Sequence, residues 1–199
     1  GITLFGEGKL ILTNANTYDG NTNLFQGDLV LRNGKGAGPT GTILINSGNT
    51  LYLNPLSGGA MTLSNTVNLA GFGRGNVGAI VNENGANTID GNVYLNASST
   101  ISALPSTTLT LLSTLDDDTN TYNLTLQGGG TIVLGVESLY DGITTIKNGT
   151  TGILAAKNAA GVGSMVVEIG ATLGMRGGIS AVNNITVGGA GVGGLAHDT

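Results

Sequence analysis

The chain has 199 residues, 40% of them hydrophobic and only 10% charged, with a formal net charge of −5; that balance argues against a disordered polymer, and the singly scattered Lys and Arg lack the basic stripe that neutralises nucleic-acid phosphates. It contains no Cys, which excludes disulfides and thiolate metal sites, and no run approaches the roughly 18 consecutive apolar residues of a membrane helix. Thirty-six Gly against 3 Pro point to many turns and few helices, because Gly is costly inside a helix yet adopts positive φ freely.

In chain order, short stretches alternate apolar and polar residues: Ile2 and Leu4, Leu10 and Leu12, Leu29 and Leu31, Ile43 and Ile45, Leu51 and Leu53. Successive side chains of a strand point to opposite faces, so each stretch predicts a strand with one buried face. Between them lie Asn14-Ala15-Asn16, Asp19-Gly20-Asn21, 33–39 and Asn46-Ser47-Gly48-Asn49, residue types that bond their own main chain or tolerate left-handed backbone. The rhythm continues through Met61 and Leu63, Val67 and Leu69, 79–81, Val93 and Leu95, then Leu109 and Leu111, with Asn87-Thr88-Ile89 at most a short strand. Asp116-Asp117-Asp118 interrupts it and predicts a protruding, solvated loop. Strands resume at 122–126, 131–134, 165–167 and 185–187, while 153–160 is rich in helix formers and predicts a short helical turn.

The chain repeats itself. Gly8-Lys9-Leu10-Ile11-Leu12 and Tyr18-Asp19-Gly20-Asn21-Thr22 return as Gly130-Thr131-Ile132-Val133-Leu134 and Tyr140-Asp141-Gly142-Ile143-Thr144, an offset of 122 residues. The same offset relates 2–6 to 124–128, 42–45 to 164–167 and 47–53 to 169–175, so that 1–53 matches 123–175. Residues 67–75 resemble 185–193 at an offset of 118, as if a few residues were lost from the second copy. Nothing marks a domain boundary, and the whole chain reads as one continuous segment of a long-period repeat. It opens on Gly without a signal peptide and begins and ends in mid-period, which makes a piece of a longer secreted or surface polypeptide the expectation.

Small apolar side chains and only 4% aromatics suit a narrow core of stacked layers better than a broad one. A β-solenoid is therefore expected, with an antiparallel sandwich as the alternative. Coils of roughly twenty-odd residues would place about five or six of them in each 122-residue unit. Outward Thr and Asn suit cross-strand rows, and Asn at successive turns is expected to stack into ladders.

The segment 6–22, GEGKLILTNANTYDGNT, resembles the signature of the autotransporter-associated β-strand repeat, with Gly8, Leu10, Leu12, Tyr18, Gly20 and Thr22 at specified positions. The second copy matches through Gly130, Ile132, Leu134, Tyr140, Gly142 and Thr144 and departs from the pattern at Ser138, where Asn is expected. The resemblance implies a right-handed parallel β-helix in a large passenger-type surface or filament protein of a bacterium. It brings no catalytic residues and no cofactor.

Candidate sites are few. Tyr18 and Tyr140 invite a sugar-stacking reading, but their recurrence is explained if each packs over the same turn of its repeat. Asp116, Asp117 and Asp118 are weak metal candidates, lacking the spaced carboxylates and Gly of a calcium loop. Asp19 and Asp141 recur where Asp commonly caps a turn, and His197 is the only His, so no Ser-His-Asp array repeats. The Gly-rich stretches 71–75 and 188–193 lack the Gly-Lys-Ser/Thr that would make them phosphate loops, and read as turns. The function expected is that of a structural or adhesive module of an extracellular or cell-surface fibre, not an enzyme, whose partners are other copies of itself or further repeats of the same chain. A carbohydrate-binding face is the alternative, and a polysaccharide-degrading enzyme a more remote one; neither nucleic acid nor membrane insertion is expected.

Overall fold

A computed structural model describes residues 1–179, 181 and 183–188. The elements in order are β1 (Ile2–Leu12), β2 (Thr22–Leu31), β3 (Thr42–Ile45), β4 (Leu51–Leu53), β5 (Thr62–Leu63), β6 (Thr66–Gly71), β7 (Ile80–Asn82), β8 (Ala86–Ile89) and β9 (Val93–Ala103). They continue with β10 (Thr108–Leu111), β11 (Leu115–Asp116), β12 (Leu124–Gln127), β13 (Thr131–Leu134), β14 (Thr144–Ile146), β15 (Thr151–Leu154), β16 (Met165–Val167), β17 (Thr172–Met175) and β18 (Ile185–Val187). Single 3₁₀ turns occur at Leu56–Gly58 and Arg74–Asn76. The strands pair in parallel and stack as a β-solenoid of about nine coils, the architecture expected of the repeat; the sandwich alternative is excluded by the parallel pairing.

Register defines three sides. On the first, Ile2, Thr22, Ile43, Val67, Val93 and Leu115 follow one another in adjacent coils. On the second the column is Leu10, Leu29, Leu51, Ile80, Ile101, Leu126, Ile146, Val167 and Val187. On the third it is Leu63, Ile89, Leu111, Leu134, Leu154 and Met175. Period-two alternation aims these side chains inward, and apart from residues in the terminal coils nearly all are sealed from solvent. Each buried Leu or Ile contributes about 1.5–3 kcal/mol, so the columns are the main source of cohesion between coils.

The sequence stretches at 2–4 and 10–12 belong to one bent strand rather than two, because β1, β2 and β9 run through the corner between the first and second sides. The bend in β2 falls at Gly27, whose φ is +107°. A side chain there would run into the carbonyls of Gly6 and Gly8 on the neighbouring coil.

The two copies do not occupy the same sides. Ile2 stands on the first side, but its counterpart Leu124 lies in β12 on the second; likewise Leu12 is on the second side and Leu134 on the third. A step of 122 residues therefore takes the chain through five coils and one side further. In the first copy the third side is closed by loops, with Gly34 lying against the backbone of Thr62 in β5. In the second copy the loops close the first side, where Leu139 N–H donates to Leu115 O at 2.8 Å. The phase slips between the copies because the intervening coils carry strands on all three sides and are longer. Leu51 and its partner Ile80 are 29 residues apart, against 20 for Ile2 and Thr22.

The change of offset from 122 to 118 has a local cause. Asn65 Nδ2 donates to Thr40 O at 3.0 Å and Gly41 O at 3.2 Å; Asn183 Nδ2 donates to Gly161 O at 3.1 Å and to Gly163 O. The two asparagines do the same work 118 residues apart, so the shortening falls between Leu53 and Asn65 in the first copy, the stretch that holds the 3₁₀ turn Leu56–Gly58.

Three local expectations need correction. Residues 153–160 make no helical turn: Ile153 and Leu154 complete β15 in register with β13, and 157–160 form a turn that packs Ala159 and Ala160 inward. The small alanines are there for space, not for helix propensity. Among the described residues no asparagine amide bonds to an asparagine amide of a neighbouring coil; Asn49 Nδ2, for example, donates to Leu24 O at 3.0 Å and Asn46 O at 3.0 Å, so its amide satisfies turn carbonyls instead. Finally, Asp116–Asp118 is not simply a solvated loop, since Asp116 ends β11 and Asp117 is 3% exposed. Among the described residues no helix is long and apolar enough to cross a membrane.

Candidate functional site

The recurring signature residues are internal fittings. Tyr18 Oη lies 2.8 Å from Thr22 Oγ1 and Tyr140 Oη lies 2.6 Å from Thr144 Oγ1, each ring bridging a loop to the start of the next strand. Tyr140 is fully buried and Tyr18 half-buried, so they form no exposed stacking pair. Leu10, Leu12, Ile132 and Leu134 line the core, while Gly20 is held against Gly1 and Gly142 against Tyr122 and Asn123. Asp19 and Asp141 are exposed at these turns. Asn16 Nδ2 donates to Gly36 O at 2.7 Å; at the matching place Ser138 is too short to reach forward and its Oγ accepts from Leu115 N at 3.4 Å instead.

The signature glycines behave differently in the two copies. A Cβ on Gly130 would strike Leu104 O and meet Thr107 O at 2.8 Å, and one on Gly128 would strike Ala103 O, all on the coil before. A Cβ on Gly6 or Gly8 would meet nothing within 4 Å. Among the described residues β1 pairs only with β2, so its other edge presents unpaired backbone groups.

One concave site stands on the first side. Asn68, Tyr94 and Asp116 lie side by side in register on β6, β9 and β11, pointing outward, about 4.8 Å apart as neighbouring strands require. The chain after β11 folds over this row and leaves a groove of about 680 Å³ lined also by Thr42, Thr66, Asn96, Asp117, Asp118, Asn120 and Tyr122. Its wall is a tight turn. Asp118 N–H donates to Asp116 Oδ1 at 2.9 Å, Asn120 N–H to Asp117 O at 3.1 Å, and Tyr122 N–H to Asp117 Oδ2 at 2.9 Å, with Asp118 at φ +60°. The three carboxylates thus diverge, Asp116 outward in the row, Asp117 inward to the turn and Asp118 to solvent. No group of three or more His, Asp or Glu among the described residues is placed to hold a metal ion.

A second polar cluster escaped sequence reading. Asp28, 4% exposed, accepts from Thr50 N–H at 3.0 Å and from Arg74 Nε at 3.0 Å. Arg74 belongs to the Gly-rich stretch 71–75, which is therefore a turn that carries a cation to a buried carboxylate. Lys9 Nζ sits 4.1 Å from the Tyr52 ring centre. Burial, with the nearby Asp28 charge adding to it, pushes the Tyr52 phenol up. Nothing in the local pattern announces a pair 46 residues apart. His197 and the stretch 189–193 lie outside the described residues.

Compared with known proteins, the chain matches no family model and has no significant match among curated proteins or solved structures.

Proposed function

We propose that the chain is a structural module of a large repetitive extracellular or cell-surface fibre of the autotransporter-associated kind, non-enzymatic, in which coils stack end on end. The observation that carries this reading is the contrast between Gly8 and Gly130. Gly130 has a steric reason to lack a side chain because a coil lies on it; Gly8 has none unless a coil covers β1 as well. The edge of β1 that is unpaired among the described residues supplies the backbone groups for such a contact, with a coil of another copy or with a further repeat of the same chain. A rod built this way gains length with each coil, since every coil buries its inner face against its neighbours. The resemblance of 6–22 to the surface-repeat signature supports the same reading.

The test is Gly8→Ala. In the dispersed monomer it should leave stability within about 0.5 kcal/mol, as for an exposed site, yet it should weaken the concentration-dependent filaments that the unaltered chain is expected to form, as followed by negative-stain microscopy. A chain that stays monomeric at high concentration, or filaments indifferent to Gly8→Ala, would remove the proposal.

A further inference from the structure

We infer that the groove on the first side is a binding site for a neutral or amino-bearing oligosaccharide. Three properties select that class. First, the lining is built from amides, hydroxyls, carboxylates and two tyrosines, which supply paired donors and acceptors for vicinal hydroxyls and flat apolar faces for ring C–H groups. Second, no Lys or Arg lines the groove, whereas Asp116 and Asp118 do; sulfated and uronic sugars are repelled and an ammonium group is accommodated. Third, β9 is hydrogen-bonded on both flanks, to β6 and to β11, and on the outer edge of β11 Leu115 N–H and O are taken by Ser138 Oγ and Leu139 N–H, so a peptide cannot enter by adding a strand. The volume of about 680 Å³ falls within the range of roughly 300–1,000 Å³ typical of small-ligand sites.

The row also has spare bonding capacity. Asp118 N–H occupies Asp116 Oδ1 alone, and neither the Asn68 amide nor the Tyr94 hydroxyl is engaged in a side-chain hydrogen bond among the described residues. Tyr94 is 38% exposed and projects from the middle of the row, so its ring is the natural platform and Asn68 and Asp116 flank it. The groove exists because the chain after β11 loses its regular strand on this side, where the loops of the second copy begin. It does not depend on contacts along β1, and the inference stands or falls separately from end-to-end stacking.

The experiment is a titration of the ¹⁵N-labelled full chain, at a concentration where it is monomeric, with three probes: a β-1,4-linked glucosamine trimer, cellotriose and a heparin tetrasaccharide. Shift changes confined to the amides and backbone around Asn68, Tyr94, Asp116 and Asn120 are expected with at least one of the first two and not with heparin. Tyr94→Ala should weaken that binding about tenfold or more, the equivalent of about 1.4 kcal/mol, with the remaining spectrum unchanged because the side chain points outward. Asn68→Ala, on the adjacent strand, provides a second variant with the same expected direction. Binding of glucosamine alone that ignores Tyr94→Ala would reduce the effect to ion pairing with the acidic turn and overturn the proposal. So would the absence of binding by both uncharged and amino probes, or binding of heparin at the same groove.

Discussion

Tyr140 donates its phenolic proton to Thr144 Oγ1 at 2.6 Å, because the threonine hydroxyl sends its own single proton on to Ala160 O at 3.1 Å. This chain ties a loop, a strand start and the next coil together without exposed atoms. Tyr140→Phe should cost about 1 kcal/mol, and Tyr140→Ala about 3–5 kcal/mol through the cavity it leaves. Tyr18→Phe, at a half-buried site, should cost less than Tyr140→Phe. Urea midpoints of the three variants check the order.

The same burial gives a pH signature. Desolvation, opposed in part by the Thr144 hydrogen bond and reinforced by the Asp117 charge, pushes the Tyr140 phenol far above its ordinary value of 10.0. Because the folded state holds the proton more tightly than the unfolded one, the contribution is fully present below about pH 10 and is lost as pH rises above it. Thermal midpoints followed from neutral to strongly alkaline pH should fall above pH 10, and the fall should be shallower in Tyr140→Phe. An equal fall in both proteins would assign the alkaline loss elsewhere.

Asn65 offers a test of turn satisfaction. Its amide serves Thr40 O and Gly41 O, so Asn65→Ala should cost about 1 kcal/mol by leaving part-buried carbonyls without that donor. Asn65→Asp should cost more at neutral pH, because a carboxylate has no donor and would face those carbonyls as a like partial charge. Chemical denaturation of both variants at pH 7 measures the difference.

Arg74 and Asp28 should be coupled. Removing the guanidinium in Arg74→Ala leaves a buried carboxylate with Thr50 N–H as its remaining partner, at a cost of about 1–3 kcal/mol. In an Asp28→Asn background the same truncation should cost distinctly less. A double-mutant cycle reads the coupling directly; a zero coupling would mean that solvent replaces Arg74 without loss.

Much of the fold was legible because it is written in local alternation. Period-two stretches such as Leu51 and Leu53 specify which side chains turn inward, and the 122-residue offset specifies that one local plan is used twice. The side on which each copy lies was not legible, because it depends on the summed length of coils between Leu51 and Leu115, and loops add residues without changing the pattern. Residues 153–160 misled for a related reason: Ala159 and Ala160 are fully buried in a turn whose next residue, Gly161, lies against Tyr140, a neighbour remote from any helix signal. The groove was half visible. Asp116 attracts notice as part of an acidic run, whereas Tyr94 and Asn68 do not, and only the register of β6, β9 and β11 sets Asn68, Tyr94 and Asp116 in one row.

The displacement of the second copy by one side gives the molecule the geometry of a screw thread. Matching loops wind about the axis instead of lining up along a ridge, so two equivalent features cannot both face a single flat surface beneath the rod. A partner that grips one copy's loops meets strands, not loops, directly above or below at the next copy.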